Sequence, residues 1–134
     1  MAEETTTKQR KVLLVDDDQF LLNMYSMKFK KSGYEVDAAS SGSNALEKLR
    51  SGGIYDVIIF DVVMPTMDGF EFAETVRKEK LVPGAALVAL TNQGQAEDIE
   101  RGKKVGVDGY IVKASAVPSE VVNEINVILE QKNN

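Results

Sequence analysis

The sequence predicts an α/β domain: a doubly wound, five-stranded parallel sheet covered by five helices. Three observations predict it. Five short apolar runs alternate strictly with five helix-like stretches along the 134 residues. The apolar runs are continuous rather than alternating, as in strands buried on both faces. Right-handed crossovers then place helices on both sides of a single sheet.

The elements follow in order. Residues 12–15 form a strand, short and β-branched at both ends, and 19–31 a helix stopped by Gly33. Residues 34–38 make a weaker strand, and 43–50 a short helix closed by Ser51-Gly52-Gly53. Residues 56–60, DVIIF, carry the strongest strand signal in the chain. Residues 69–78 are helical and halt before Pro83-Gly84; 85–90 form a strand, 96–105 a helix and 109–112 a strand. The last helix spans 118–131, with Val121, Val122, Ile125, Ile128 and Leu129 at helical spacing and Pro118 in its first turn. The polar first ten residues predict a flexible tail, which leaves residues 11–131 as one folded domain.

Composition narrows the function. With 43% hydrophobic residues the chain can bury a real core. A net charge of −5 argues against a nucleic-acid surface and suits binding of a cation. The chain has no cysteine, which excludes disulfides, thiolate catalysis and zinc–thiolate sites and agrees with a cytoplasmic address. No apolar run has membrane-spanning length, and the first residues lack the apolar core of a signal peptide. There is also no histidine, so Ser-His-Asp and Cys-His hydrolases are excluded.

In a doubly wound sheet the site lies beyond the carboxyl ends of the strands. Polar residues collect there. The first strand ends at Asp16-Asp17-Asp18, the third at Asp61, the fourth at Thr91 and the fifth at Lys113. Each has a plain alternative. Asp18 fits a helix cap, Asp61 can begin a turn ahead of Met64-Pro65 and Asp68-Gly69, Thr91 can cap a loop, and Lys113 can be a surface lysine. It is the coincidence at four strand ends that points to a site. Carboxylates with waters and a carbonyl suit Mg²⁺, which would offset the mutual repulsion of Asp16, Asp17 and Asp61. A carboxylate beside such an ion can attack phosphorus, with Lys113 and Thr91 as donors to the equatorial oxygens. No GxxxxGK[ST] loop is present to bind a nucleotide as the phosphoryl donor.

In this order VLLVDDDQF, IIFDVVMPTMDGFEF, ALTNQG and GYIVKAS resemble the receiver domain of two-component response regulators (CheY-like). The resemblance covers about residues 11–131 and implies a flavodoxin-like fold with strand order 2-1-3-4-5. It implies Asp61 as phosphoacceptor, with Asp17 binding Mg²⁺ directly, Asp16 mainly through water, and the Val63 backbone carbonyl as a further ligand. Lys113 would pair with the phosphoryl group and Thr91 would move to hydrogen-bond it. Tyr110 would rotate inward and carry the signal to the face built from the fourth helix, fifth strand and fifth helix. A half-buried strand aromatic is the ordinary alternative for Tyr110. The phosphoryl donor would be a phosphohistidine on a sensor histidine kinase or histidine phosphotransfer protein, since this chain has no histidine of its own.

Three positions depart from the family pattern. Ala114 follows Lys113 where a proline in a cis bond is usual, so either a cis non-proline bond, at about 3–4 kcal/mol, or a trans path is expected. Asn92 follows Thr91 where a smaller residue is common, which would narrow access to the phosphoryl group. Val63 replaces a polar side chain able to orient water, which predicts slow self-dephosphorylation.

The expected role is a switch rather than an enzyme, a stand-alone regulator or relay element that docks an unidentified downstream protein. It is not expected to bind nucleic acid or membrane. An excised piece of a longer regulator is the alternative. A dimer through the switch face is a candidate, because Arg101, Lys103 and Lys104 oppose Glu120, Glu124 and Glu130 on neighbouring helices; a solvated surface is the plainer reading. Three rival functions fit the sequence less well. An interaction module without phosphotransfer conflicts with the intact acids, Thr91 and Lys113. A Mg²⁺-dependent phosphatase wants a second acid where Val63 stands, and a flavin protein wants a phosphate-cradling loop after the first strand.

Overall fold

The computed structural model describes residues 9–91, 96–113 and 117–133 of the chain. Ten elements alternate along it. They are β1 (Lys11–Val15), α1 (Gln19–Lys31), β2 (Glu35–Ala39), α2 (Gly42–Arg50), β3 (Val57–Asp61), α3 (Gly69–Lys78), β4 (Ala86–Thr91), α4 (Ala96–Val105), β5 (Gly109–Val112) and α5 (Pro118–Asn133). All pairings are parallel and the sheet order is β2-β1-β3-β4-β5. The expected fold class and strand order are therefore present. Strand limits shift by at most one residue from the sequence reading. Asp61 and Thr91 close their strands rather than following them, and Tyr34 joins the α1 cap.

Alternate strand residues feed two apolar layers. Val12, Leu14, Val57, Ile59, Ala86, Val88, Leu90 and Ile111 meet Leu22, Tyr25 and Phe29 of α1 and Val121, Val122, Ile125 and Leu129 of α5. The intervening residues, among them Leu13, Ile58, Phe60, Leu87 and Ala89, meet α2 and α3 through Leu46, Leu49, Phe70, Phe72 and Val76. Burial on both faces explains why β1, β3 and β4 read as continuous apolar runs. Helix ends follow local chemistry. Asp18 accepts from the amides of Phe20 and Leu21 at the start of α1, and Gly33, at φ 94, turns the chain out of its end. Asp68 and Glu71 form a capping box at α3.

Of the segment expected as a tail, residues 1–8 lie outside the described residues. Gln9 donates to the Gly33 carbonyl at 3.1 Å, and Arg10 reaches Asn126 at 3.4 Å. Among the described residues, no helix is long and apolar enough to cross a membrane.

Candidate functional site

Register brings the strand ends together. Val15 pairs with Phe60, Phe60 with Ala89 and Ala89 with Tyr110. One residue past that rung stand Asp16, just after β1, and Asp61, the last residue of β3; Thr91 stands two past it at the end of β4 and Lys113 three past it, just after β5. Parallel strands thus deliver all four to one rim. Asp16, Asp17 and Asp61 each offer a carboxylate oxygen, and these oxygens lie within 4.8 Å of one another. Asp16 and Asp61 are only 5% and 8% exposed, while Asp17 faces solvent.

The lysine completes the cluster. Lys113 Nζ donates to Asp16 Oδ2 at 3.1 Å and lies 3.5 Å from Asp61 Oδ1, with its side chain 7% exposed. Burial pulls the Lys113 ammonium down, but Asp61 and Asp16 outweigh it and the group is held above its usual range. For Asp61 the balance goes the other way. Burial is the largest influence, Asp16 adds to it, and Lys113 and the Val63 amide oppose it; the carboxyl is pushed up to about 6. One ammonium does not compensate three carboxylates, and the pocket remains short of positive charge. The donor set is all oxygen, from one solvent-facing and two buried acids, which fits a small hard cation with water completing its shell.

The loop after β3 is built to hold Asp61. A Cβ on Gly69 would collide with the Asp61 carbonyl oxygen and the Val62 Cα, so only glycine allows α3 to start this close to the strand end. The Gly69 amide in turn donates to the Val62 carbonyl at 2.9 Å. Between them Thr66 sits at φ 70, and the Met67 amide donates back to the Pro65 carbonyl at 2.7 Å, a three-residue turn. Such a conformation costs about 1–3 kcal/mol for a non-glycine residue and persists where its surroundings over-determine it. The Val63 side chain projects into solvent, 73% exposed, beside the acids.

Thr91 is buried, and its hydroxyl is hydrogen-bonded to that of the half-buried Tyr110. The two residues named from sequence as a switch pair are therefore in contact. Asp18 serves as the α1 cap, as its plain alternative held. Asn92 and the Lys113–Ala114 bond lie outside the described residues. Sequence reading missed three contributors: the direct Lys113–Asp16 pair, the strained Thr66, and Tyr25. The last is a buried phenol on α1 that lines a small cavity with Asp16. Burial raises its hydroxyl, with Lys113 opposing and Asp16 reinforcing.

A doubly wound sheet of this order, with acids and a buried lysine meeting at its carboxyl rim, defines a CheY-like domain. The chain belongs to the response regulator receiver domain family, whose description matches residues 12–126. It is 32% identical over 125 residues to the transcriptional regulatory protein ResD of Bacillus subtilis, covering 93% of this chain and 50% of that protein. It is 37% identical over 108 residues to hybrid signal transduction histidine kinase L of Dictyostelium discoideum, covering 77% of this chain and 6% of that one. Among solved structures, chemotaxis protein CheY4 of Vibrio cholerae superposes with a TM-score of 0.83 at 36% identity, over 90% of this chain and 99% of that one. The chain spans about half the length of the transcriptional regulators it matches.

Proposed function

We propose that this receiver is a phosphorylation-controlled switch whose acceptor is Asp61. The carrying observation is the convergence of Asp16, Asp17 and Asp61 within 4.8 Å, with Lys113 at 3.1 Å from Asp16 and 3.5 Å from Asp61. The donor is a phosphohistidine on a sensor kinase or phosphotransfer protein. An ionised Asp61 oxygen attacks the phosphorus in line. The new P–O bond forms as the P–N bond breaks, and the electron pair of that bond stays on the departing imidazole. Asp16, Asp17, Asp61 and the Val63 carbonyl would hold Mg²⁺, which supplies positive charge against the carboxylates and the phosphoryl oxygens. Lys113, already between two acids, is placed to follow the charge onto the phosphoryl group.

Thr91 then turns towards the phosphoryl oxygens, and its hydrogen-bonded partner Tyr110 moves with it. This changes the α4–β5–α5 face, which docks a downstream protein or a second copy. In this reading the domain works in the cytoplasm as a phosphoacceptor rather than an enzyme, and its own surface, at a net charge of −5, is not built for nucleic acid. Val63, exposed beside the acids, offers no group to orient water, so the phosphoryl group is long-lived.

Beryllofluoride with Mg²⁺ tests the acceptor role. It should shift the amide spectrum or elution of wild type and leave Asp61→Ala unchanged; an unresponsive wild type contradicts the proposal and favours a purely structural interaction module. The lifetime reading has its own test, the decay of purified phosphoprotein in Mg²⁺. Persistence over many minutes is expected, and loss within seconds rejects it.

A further inference from the structure

Arg101 stands on α4 with its side chain 47% exposed, yet two of its contacts, an ion pair and a ring contact, lead back to the acceptor loop. Its Nη1 lies 3.2 Å from Asp68 Oδ2, and its guanidinium sits over the Phe70 ring, 5.1 Å from the centroid. Asp68 ends the loop that Asp61 begins, and its other oxygen accepts from the Glu71 amide to start α3. Phe70 is fully buried and meets Phe60 edge-on at 6.4 Å; Phe60 immediately precedes Asp61. One side chain from α4 therefore grips the far end of the loop and the ring beneath its near end. Between these anchors lies Thr66 at φ 70, a strained turn that needs outside restraint.

We infer that Arg101 is a positioning residue for the acceptor loop: by clasping α4 to Asp68 and Phe70 it holds Asp61 and Val63 in the arrangement that takes a divalent cation. The inference rests on the metal reading given above. It gives α4 a route to the acids that bypasses Thr91 and Tyr110. Displacing α4, by a docked partner or by the switch itself, opens the clasp and loosens the loop. Linkage makes the effect mutual, so filling the acid site steadies α4. An exposed ion pair alone is weak, but here the guanidinium also lies over the Phe70 ring, and that cation–π contact adds to the pair.

The test uses the full chain and two readouts. Mg²⁺ affinity is measured by calorimetry for wild type, Arg101→Gln, Asp68→Asn and the double variant. Asparagine caps a helix as well as aspartate does, so Asp68→Asn removes the charge and keeps the start of α3. Each single variant should weaken Mg²⁺ binding by about two- to five-fold, the range an exposed pair supports, and lower the melting temperature by no more than about 5 °C. The double variant should be no weaker than either single one. Arg101→Lys should recover part of the loss, and about 1 M salt should collapse the ratio between wild type and the single variants. Without metal, amide exchange at Gly69, whose N–H donates to Val62, should quicken in both single variants.

Single variants that bind Mg²⁺ as wild type does, or losses that multiply in the double variant, would overturn the clasp. A wild type that fails to bind Mg²⁺ overturns the metal reading instead. In that case the metal-free exchange at Gly69 still decides: faster exchange in the variants supports restraint of the loop by Arg101, and unchanged exchange refutes it.

Discussion

Asp37 and Asp61 are both partly or wholly withdrawn from water, and their surroundings treat them oppositely. Asp37 lies on the edge strand β2. It accepts from the Tyr55 hydroxyl at 2.6 Å and from the Ala38 amide at 2.9 Å, and Lys48 is 3.2 Å away. Burial pushes its carboxyl up, but the bonds from Tyr55, Lys48 and Ala38 together outweigh burial and hold it below its ordinary value. Asp61 is buried more deeply among like charges and is held up at about 6. The first carboxylate is fully partnered and fastens the sheet edge to the segment before β3. The second is left short of positive charge at the rim. The difference separates an acid satisfied by its partners from one left unsatisfied, the kind of environment in which functional acids are found.

The largest effect that could break this contrast is removal of the Asp61 charge. Its carboxyl rises from 3.8 to about 6, and at about 1.4 kcal/mol per pH unit this corresponds to about 3 kcal/mol at neutral pH. Asp61→Asn should therefore stabilise the metal-free protein by up to that amount in urea unfolding. Saturating Mg²⁺ should shrink the gain, because wild type alone is then stabilised by full binding. Equal gains with and without Mg²⁺ would remove the acid cluster as a cation site.

Gly69→Ala comes next. Its Cβ has no room beside the Asp61 carbonyl and Val62, and overpacking of this kind costs about 1–3 kcal/mol. Equilibrium melts should show the loss together with weaker Mg²⁺ binding. A tolerated alanine would mean that the loop does not need this close approach. Tyr55→Phe should be milder and opposite in sense to Asp61→Asn, a destabilisation of about 1 kcal/mol or less, since Asp37 keeps Lys48 and some solvent.

The pH dependence separates the two acids further. A raised carboxyl such as Asp61 contributes stability that is full below about 3.8 and is lost as pH rises through about 6. A lowered one such as Asp37 contributes stability above its ordinary 3.8 that is lost as pH falls through its depressed value. Metal-free wild type should thus gain on Asp61→Asn in urea melts taken downwards from pH 7 to pH 4, roughly the window set by the Asp61 shift. A constant gap across that window would contradict the assigned shift.

Much of the fold could be read directly because its signals are local. The buried strands β1, β3 and β4 are continuous apolar runs, Gly33 ends α1 and Asp18 begins it. The edge strand β2 was misplaced by one residue because only Ala39 in it is buried, which leaves little pattern. Strand order came from family resemblance, since apolar runs do not encode which neighbour they pair with. At the site, Asp16, Asp61, Thr91 and Lys113 were legible as polar residues ending apolar runs. Contacts between distant residues were not. Arg101 read as one more charge on a solvated helix, yet it reaches Asp68, 33 residues away in sequence. Tyr55 gave no hint that its hydroxyl would hold Asp37. Thr66 carries no residue-type signal for φ 70, because its strain is imposed by Pro65, Gly69 and the end of β3.

The most direct measurement is the mass and position of the adduct formed with acetyl phosphate. The account predicts a single phosphoryl group on Asp61, formed only when Mg²⁺ is present and missing from Asp61→Ala. An adduct on another residue, one that forms equally well in chelator, or none on a folded Mg²⁺-bound protein would contradict it.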